Sequence, residues 1–380
     1  MEIIKKFNNP TKTFFGLKSI NKISKVVGLN KKILVITSKR GGKLFQKQIT
    51  NILNSQNKIY FLDKINSYPS TTVVDSLFKK FFNKQYDFII GYGGGSVLDF
   101  SKILKSYLSL KKKIDIKSLI ENIDNLKKKN DIKLILIPTT SGTGSEVTPF
   151  ATVWDLKNKK KLSLNSKLLC ANFAFVDPET TENLEYENRL FTGLDAINQL
   201  FDSYWNKNSN YSSKLLASKG IELGVKSIIN LNRNKFNIVN RSKISKASLI
   251  SGFCISKTRT SLCHSISYPL TSVYNVPHGL ACFFSTLAVF DLINSQKKNF
   301  FKSILNNTNF KNTKSLRFHL SKIYKNHLVI KKLKEYVGSV ENAEKLIKLM
   351  FTKGRSDNFC LPVSEVLIKK VLHNSFKQKF

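Results

Sequence analysis

The stretch YDFIIGYGGGSVLDFSK, Tyr86 to Lys102, sets a short apolar run against a glycine cluster and then an amphipathic continuation. An apolar run of that length, closed by a turn signal, reads as a buried strand. The glycines permit a tight turn, and the residues after them carry a helical pattern. The same order recurs on both sides. KKILVITSKR (31–40) and NKIYFLDKI (57–65) precede it, and IKLILIPTTSGTGSE (132–146) follows. Between them, TTVVDSLFKKFFNK (71–84) repeats Val73, Val74, Leu77, Phe78, Phe81 and Phe82 at helical spacing. Strands alternating with helices predict a parallel sheet covered on both faces. Such sheets receive ligands at the carboxyl ends of their strands.

Beyond VDPE (176–179) strand signals thin out, and long helical periodicity takes over in SSKLLASKGIELGVKSIINL (212–231) and VENAEKLIKLMFTKG (340–354). The boundary is placed near residue 185. Residues 1–184 are expected to form an α/β domain with a parallel sheet, and residues 185–380 an all-α domain. There is no internal repeat.

The chain has 380 residues, with 63 Lys+Arg against 25 Asp+Glu and a net charge of +38. That charge raises a nucleic-acid or anionic-membrane binder as a first reading. Only seven of the basic residues are Arg, however, and nucleic-acid recognition leans on the guanidinium fork. The lysine excess reads instead as a bias toward A/T-rich codons, unless the lysines gather on one continuous face. A hydrophobic fraction of 41% excludes a disordered polycation. No apolar run approaches the roughly 18 residues of a spanning helix, so no membrane association is expected. The start, MEIIKKFNNPTKT, lacks a secretory stretch. Cys170, Cys254, Cys263, Cys282 and Cys360 are odd in number and form no C-x-x-C, which suits reduced thiols in a cytoplasmic protein.

Three features carry chemistry. The glycines of GYGGGSVLDFSK (91–102) bring backbone N–H groups and a helix N-terminus to where a phosphate would sit, or else make a tight turn without a ligand. PTTSGTGSEVTPFATVWD (138–155) reads as a second loop of the same kind, and the two together suggest a dinucleotide across the strand ends. Asp195 and Gln199, four residues apart in GLDAINQLFDSYW, share a helix face. His264 and His278 follow in TRTSLCHSISYPL and YNVPHG. A carboxylate with imidazoles suits Fe(II) or Zn(II), the alternative being two satisfied core histidines.

Taken in order, GGGSVLDFSK, GTGSEVTPFATVWD, GLDAINQ and the two histidines resemble the iron-containing alcohol dehydrogenase family (group III) along nearly the whole chain. The resemblance implies a dinucleotide-binding α/β domain, a helical metal domain, NAD(P)H and a divalent metal, Fe(II) or else Zn(II). It puts the metal on Asp195, Gln199, His264 and His278. Gly94, Gly95 and Ser96 fall at the pyrophosphate, Thr139 and Thr140 at the nucleotide, and Asp99 and Lys161 at the nicotinamide ribose. Homodimers or larger homo-oligomers are common in the family. TRTSLCHSISYPLTSVYNVPHGLA and EVTPFATVWD look nearest to the branch that reduces phosphonoacetaldehyde to 2-hydroxyethylphosphonate. A general reductase of short aldehydes is the rival expectation, and an inactive paralogue a third.

The departures matter. Gln199 stands where the family's commonest residue is His, and an amide is the poorer ligand. Tyr268 stands where many members carry a second His, and either relays a proton or packs. After the first long strand comes Thr37, Ser38, Lys39, Arg40 rather than an acidic residue, which predicts acceptance of NADP(H). A phosphonate needs a cation. Arg259 is the candidate clamp, with Lys257 behind it and a structural ion pair as the alternative.

Overall fold

The computed structural model describes residues 8–39, 41–65, 70–110, 113–125, 130–155, 157, 160–232 and 237–378. The chain divides into two compact units. One comprises residues 8–140 and 145–183; the other comprises residues 141–144 and 184–380.

Among its described residues the first unit has eight strands: β1 Lys12–Phe15, β2 Lys32–Ser38, β3 Lys58–Ile65, β4 Phe88–Gly93, β5 Lys133–Pro138, β6 Phe150–Asp155, β7 Lys160–Asn165 and β8 Phe173–Val176. Six form a sheet in the order β1-β8-β5-β4-β2-β3. All its pairings are parallel. Helices α1 Gly42–Ile52, α2 Thr71–Phe81 and α3 Gly95–Leu110 connect or cover these strands. The period-2 alternation of strands divides the core in two. Leu34, Ile36, Ile89, Leu134 and Leu136 pack on one face with Phe100, Ile103 and Leu104 of α3. Ile33, Val35, Ile90, Tyr92, Ile135 and Ile137 pack on the other.

β4 shows why the opening stretch needs its glycines. A Cβ on Gly91 would lie 2.6 Å from Ser101 Oγ and 2.8 Å from Leu136 Cδ2. The bare backbone lets α3 press directly on the strand that feeds it.

Two short strands and a hairpin depart from the sequence expectation. β1 and β8 hold four residues each and lack a long apolar run. Residues 150–155, read above as part of a loop, are β6, paired antiparallel with β7. Ala151, Val153 and Asp155 point inward in alternation, and Ala151, Val153 and Leu164 join the core that α3 also enters.

α3 carries a charged residue into this core. Lys102 is fully buried and donates to Thr148 Oγ1 at 3.1 Å and the Phe150 carbonyl at 2.7 Å. Asp99 lies 3.8 Å from its ammonium. Glu146 is buried as well; loss of solvation pushes its carboxyl up to about 7, with Lys102 pulling the other way. Lys102→Met removes the donor and leaves these acceptors behind. The expected cost is about 2 kcal/mol, the value of hydrogen bonds to a charged group, seen as a lower urea midpoint. An unchanged midpoint would show that Lys102 merely fills space.

The second unit is helical. Among its described residues no strand occurs, apart from an isolated bridge between Asn206 and Phe359. Its site-bearing helices are α4 Tyr186–Tyr204, α5 Tyr211–Ile229, α6 Ile238–Thr258, α7 Leu262–Tyr274 and α8 His278–Phe283. The stretch His278–Gln296 is long and apolar enough by composition to cross a membrane, against the expectation of no such run. It is interrupted between α8 and the next helix and mostly buried within the protein, as a core stretch would be.

Residues 141–144 belong to this unit for a steric reason. Ser141 Oγ lies 2.8 Å from Ser245 Oγ on α6. Gly144 has φ +59°, and a Cβ there would fall 2.4 Å from the Cα of Gly252. A Cβ on Gly142 would meet Thr192 at 2.8 Å. Close packing thus gives these two glycines a reason that needs no phosphate.

Candidate metal centre and nucleotide loop

The α3 N-terminus follows β4 at once, so the backbone of Gly95 and Ser96 forms the first helical turn. Helix N-termini leave donors unspent on the helix itself and favour anions. Thr139 N donates to the Gly93 carbonyl at 3.0 Å. Thr140 closes over Gly94, where a Cβ would come within 3.3 Å of its methyl. Gly94, Gly95, Ser96, Thr139 and Thr140 therefore gather at the carboxyl ends of β4 and β5. At the end of β2, Ser38 Oγ accepts from Gly41 N at 3.2 Å and shapes the next turn. Lys39 follows it, and Arg40 lies outside the described residues. Asp99, near the first turn of α3, is hydrogen-bonded to the segment that leads into β6. Its two oxygens accept from Ser145 Oγ at 2.6 Å and Thr152 N at 3.0 Å, which pins the loop before β6 to α3. Lys161 falls in β7 opposite Trp154, and its side chain lies outside the described ones.

In the helical unit, α4 buries two kinds of residue. Leu190, Leu194, Ile197 and Phe201 are apolar, while Asp195, Asn198, Gln199 and Asp202 are polar and also buried. Burying polar groups is costly unless they are matched, and here the matches form a centre. His264 projects from the first turn of α7, and His278 opens α8 directly after Pro277. The ligand atoms of Asp195, His264, His278 and Cys282 all lie within 4.8 Å of one another. His264 Nε2 is 3.4 Å from Asp195 Oδ1, and its ring centroid is 5.5 Å from that of His278.

His264 is oriented from behind. Its Nδ1–H donates to Asp202 Oδ2 at 2.8 Å, which turns Nε2 toward Asp195. The same carboxylate accepts from Ser261 N at 2.9 Å and Trp205 Nε1 at 2.9 Å. Burial opposes charge on His264, but Cys282, Asp195 and Asp202 outweigh it and hold the imidazole well above its ordinary pKa. Burial likewise raises the Cys282 thiol, and His264 and His278 more than offset it, bringing it down to about 7. A buried carboxylate, two imidazoles and a thiol at this spacing fit a divalent cation, which takes the place of the protons.

Gln199 is buried one turn after Asp195, and its carbonyl oxygen accepts from Ser251 Oγ at 2.9 Å. Tyr268 stacks on His278, with centroids 6.2 Å apart and planes 11° from parallel. Its hydroxyl accepts from Arg355 Nε at 3.1 Å. Arg355 Nη1 donates to the Gly354 carbonyl at 2.7 Å. Arg259 ends α6 with φ +62°, exposed, and Lys257 is exposed beside it. The Arg259 guanidinium reaches the same turn, since a Cβ on Gly354 would fall 3.1 Å from its Nη1.

Three residues escaped the sequence reading. Cys282 repeats one turn after His278, and Asp202 repeats two turns after Asp195, so both spacings were visible. Arg355 had no such signal.

Comparison with known proteins gives the family and the fold. A family model described as iron-containing alcohol dehydrogenase matches residues 10–178, and one for the C-terminal part of the same family matches residues 189–375. The chain is 36% identical over 150 residues to phosphonoacetaldehyde reductase of Streptomyces viridochromogenes, covering 39% of this chain and 38% of that one. It is 33% identical over 201 residues to sulfoacetaldehyde reductase of Bilophila wadsworthia, covering 52% and 50%. The matched stretches thus span less than two thirds of these relatives. The crystal structure of sulfoacetaldehyde reductase from Bifidobacterium kashiwanohense in complex with NAD+ has a TM-score of 0.83 at 21% identity over 98% of each chain. An iron-containing alcohol dehydrogenase from Thermococcus thioreducens gives 0.84 at 21%, covering 98% of this chain and 100% of that one. With the two family models spanning residues 10–178 and 189–375, the chain belongs to the iron-containing alcohol dehydrogenase family.

Proposed function

We propose that this protein uses NAD(P)H and a divalent metal to reduce a small aldehyde with an anionic head group, in the first instance phosphonoacetaldehyde, to its alcohol. The observation that carries the anionic head group is Arg355, held on the hydroxyl of Tyr268, whose ring in turn lies over His278. A guanidinium one aromatic ring from the metal ligands suits a phosphonate or sulfonate. Arg259, at the same Gly354 turn, adds a second positive charge to that neighbourhood. Two relatives named above take aldehydes of this kind.

A divalent metal in this site would supply Lewis-acid polarisation of the carbonyl, and a reduced nicotinamide would supply the hydride. Asp195, His264 and His278 would hold the metal, with Asp202 keeping His264 in the ligating tautomer. Gly95 and Ser96, at the α3 N-terminus, would receive the pyrophosphate. Tyr268, whose ring stacks on His278, offers its hydroxyl as the candidate proton carrier. Ser38 and Lys39, in place of an acidic residue, support acceptance of NADP(H).

Arg355→Leu tests the reading. The ratio of kcat/KM for phosphonoacetaldehyde to that for propionaldehyde should fall about 10- to 100-fold, the weight of a charge-assisted hydrogen bond. Equal losses on both substrates would instead favour a general reductase of short aldehydes.

A further inference from the structure

Cys282 lies in HGLAC, four residues after His278, so the two side chains leave the same face of α8. Its sulfur is 3.7 Å from His278 Nδ1 and 3.6 Å from Nε2, and it is fully buried. It also lies within 4.8 Å of the ligand atoms of Asp195 and His264. Ser267 Oγ, 3.2 Å away, accepts from the thiol. Gln199 presents a different picture. It sits on α4 one turn after Asp195, yet its carbonyl oxygen is engaged by Ser251 Oγ from α6.

We propose that the Cys282 thiolate, rather than the Gln199 amide, completes the metal coordination, giving a donor set of Asp195, His264, His278 and Cys282. The inference rests on the metal-assisted reading above. On coordination the thiol proton leaves to solvent and the sulfur lone pair binds the cation. The protein still supplies four donors, with sulfur standing in for the histidine nitrogen that the family commonly carries at the position of Gln199. Two consequences follow from the chemistry of that exchange. Two anionic ligands now neutralise a divalent ion, which makes it a milder Lewis acid. One soft donor also moves the preference from Fe(II) toward Zn(II), whose ordinary ligands are thiolate, imidazole and carboxylate.

The test is cobalt substitution. Protein stripped with a chelator is titrated with Co(II), and absorption is followed from the near ultraviolet through the visible. The expected wild-type result is uptake of one cobalt with a sulfur-to-cobalt charge-transfer band beside the visible d–d bands. Cys282→Ser should lose the charge-transfer band and keep the d–d bands, while Gln199→Ala should keep both. If Cys282→Ser does not fold, X-ray absorption of the zinc-loaded wild type reads the same bond as one sulfur neighbour at about 2.3 Å. Cobalt bound without the band overturns the thiolate ligand and leaves the reductase reading intact. So does a band that survives in Cys282→Ser. Failure to take up any cobalt overturns both the thiolate ligand and the metal-assisted reading, whereas cobalt bound without the band overturns the thiolate ligand alone.

Discussion

Gly279→Ala is expected to lower stability by about 3 kcal/mol, the upper end of over-packing penalties, and to empty the metal site at the same time. Gly279 follows His278 in the first turn of α8. A Cβ there would lie 1.7 Å from the carbonyl oxygen of Phe191 and 3.1 Å from the backbone nitrogen of Asp195, both on α4. Neither atom belongs to a flexible side chain, so the clash is relieved only by moving one helix from the other. That movement separates His278 from Asp195, and a set of ligands spread apart binds metal poorly. Urea unfolding and metal content on the same preparation check the outcome. A variant with the wild-type midpoint and a full complement of metal would mean that α8 has slack the packing does not show.

Asp202→Asn is expected to weaken metal binding about 10- to 100-fold, the usual range for losing a partner behind a ligating histidine. Asp202 is outside the cluster of Asp195, His264, His278 and Cys282 and meets His264 at Nδ1. It accepts from His264 Nδ1, Ser261 N and Trp205 Nε1, all donors. A carboxylate answers all three, but an amide must turn its NH2 toward at least one of them. If that one is His264, the ring loses the bond that aims Nε2. If it is Trp205, two buried donors face each other. Competition with a chromophoric chelator measures the change, and binding within about threefold of wild type would remove Asp202 from the ligand-orienting role.

How much of this was legible depended on the length of the signal. β2, β4 and β5 were readable because each is a continuous apolar run that a parallel sheet buries on both faces. β1 and β8 were not, since four residues give no period to count and β1 is partly exposed. The β6 strand hid at the end of a glycine- and hydroxyl-rich segment: FATVWD is largely apolar, but its inward residues are Ala151, Val153 and Asp155, and a buried Asp argues against a strand core. At the site, Asp195, His264 and His278 were legible through motif order. Cys282 and Asp202 lay at helical repeats from known ligands, but the same repeats are common in any helix, and only the convergence of α4, α7 and α8 gives them weight. Arg355 arrives from a distant segment by a tertiary contact, which no local pattern records. The charge excess pointed to none of Asp195, His264, His278 and Cys282, for no lysine or arginine is among them.

The assignment of residues 141–144 to the helical unit bears on how this protein can be taken apart. The helical unit is not a continuous cassette. A fragment of residues 184–380 would lack the four residues that fill the space beside Gly252 and reach Ser245, leaving a slot on α6 floored by bare backbone. The complementary fragment would carry an unsupported excursion between β5 and β6. Dissecting the chain, or grafting its metal-bearing half onto another nucleotide domain, therefore needs a cut that carries the S-G-T-G segment along with the helices.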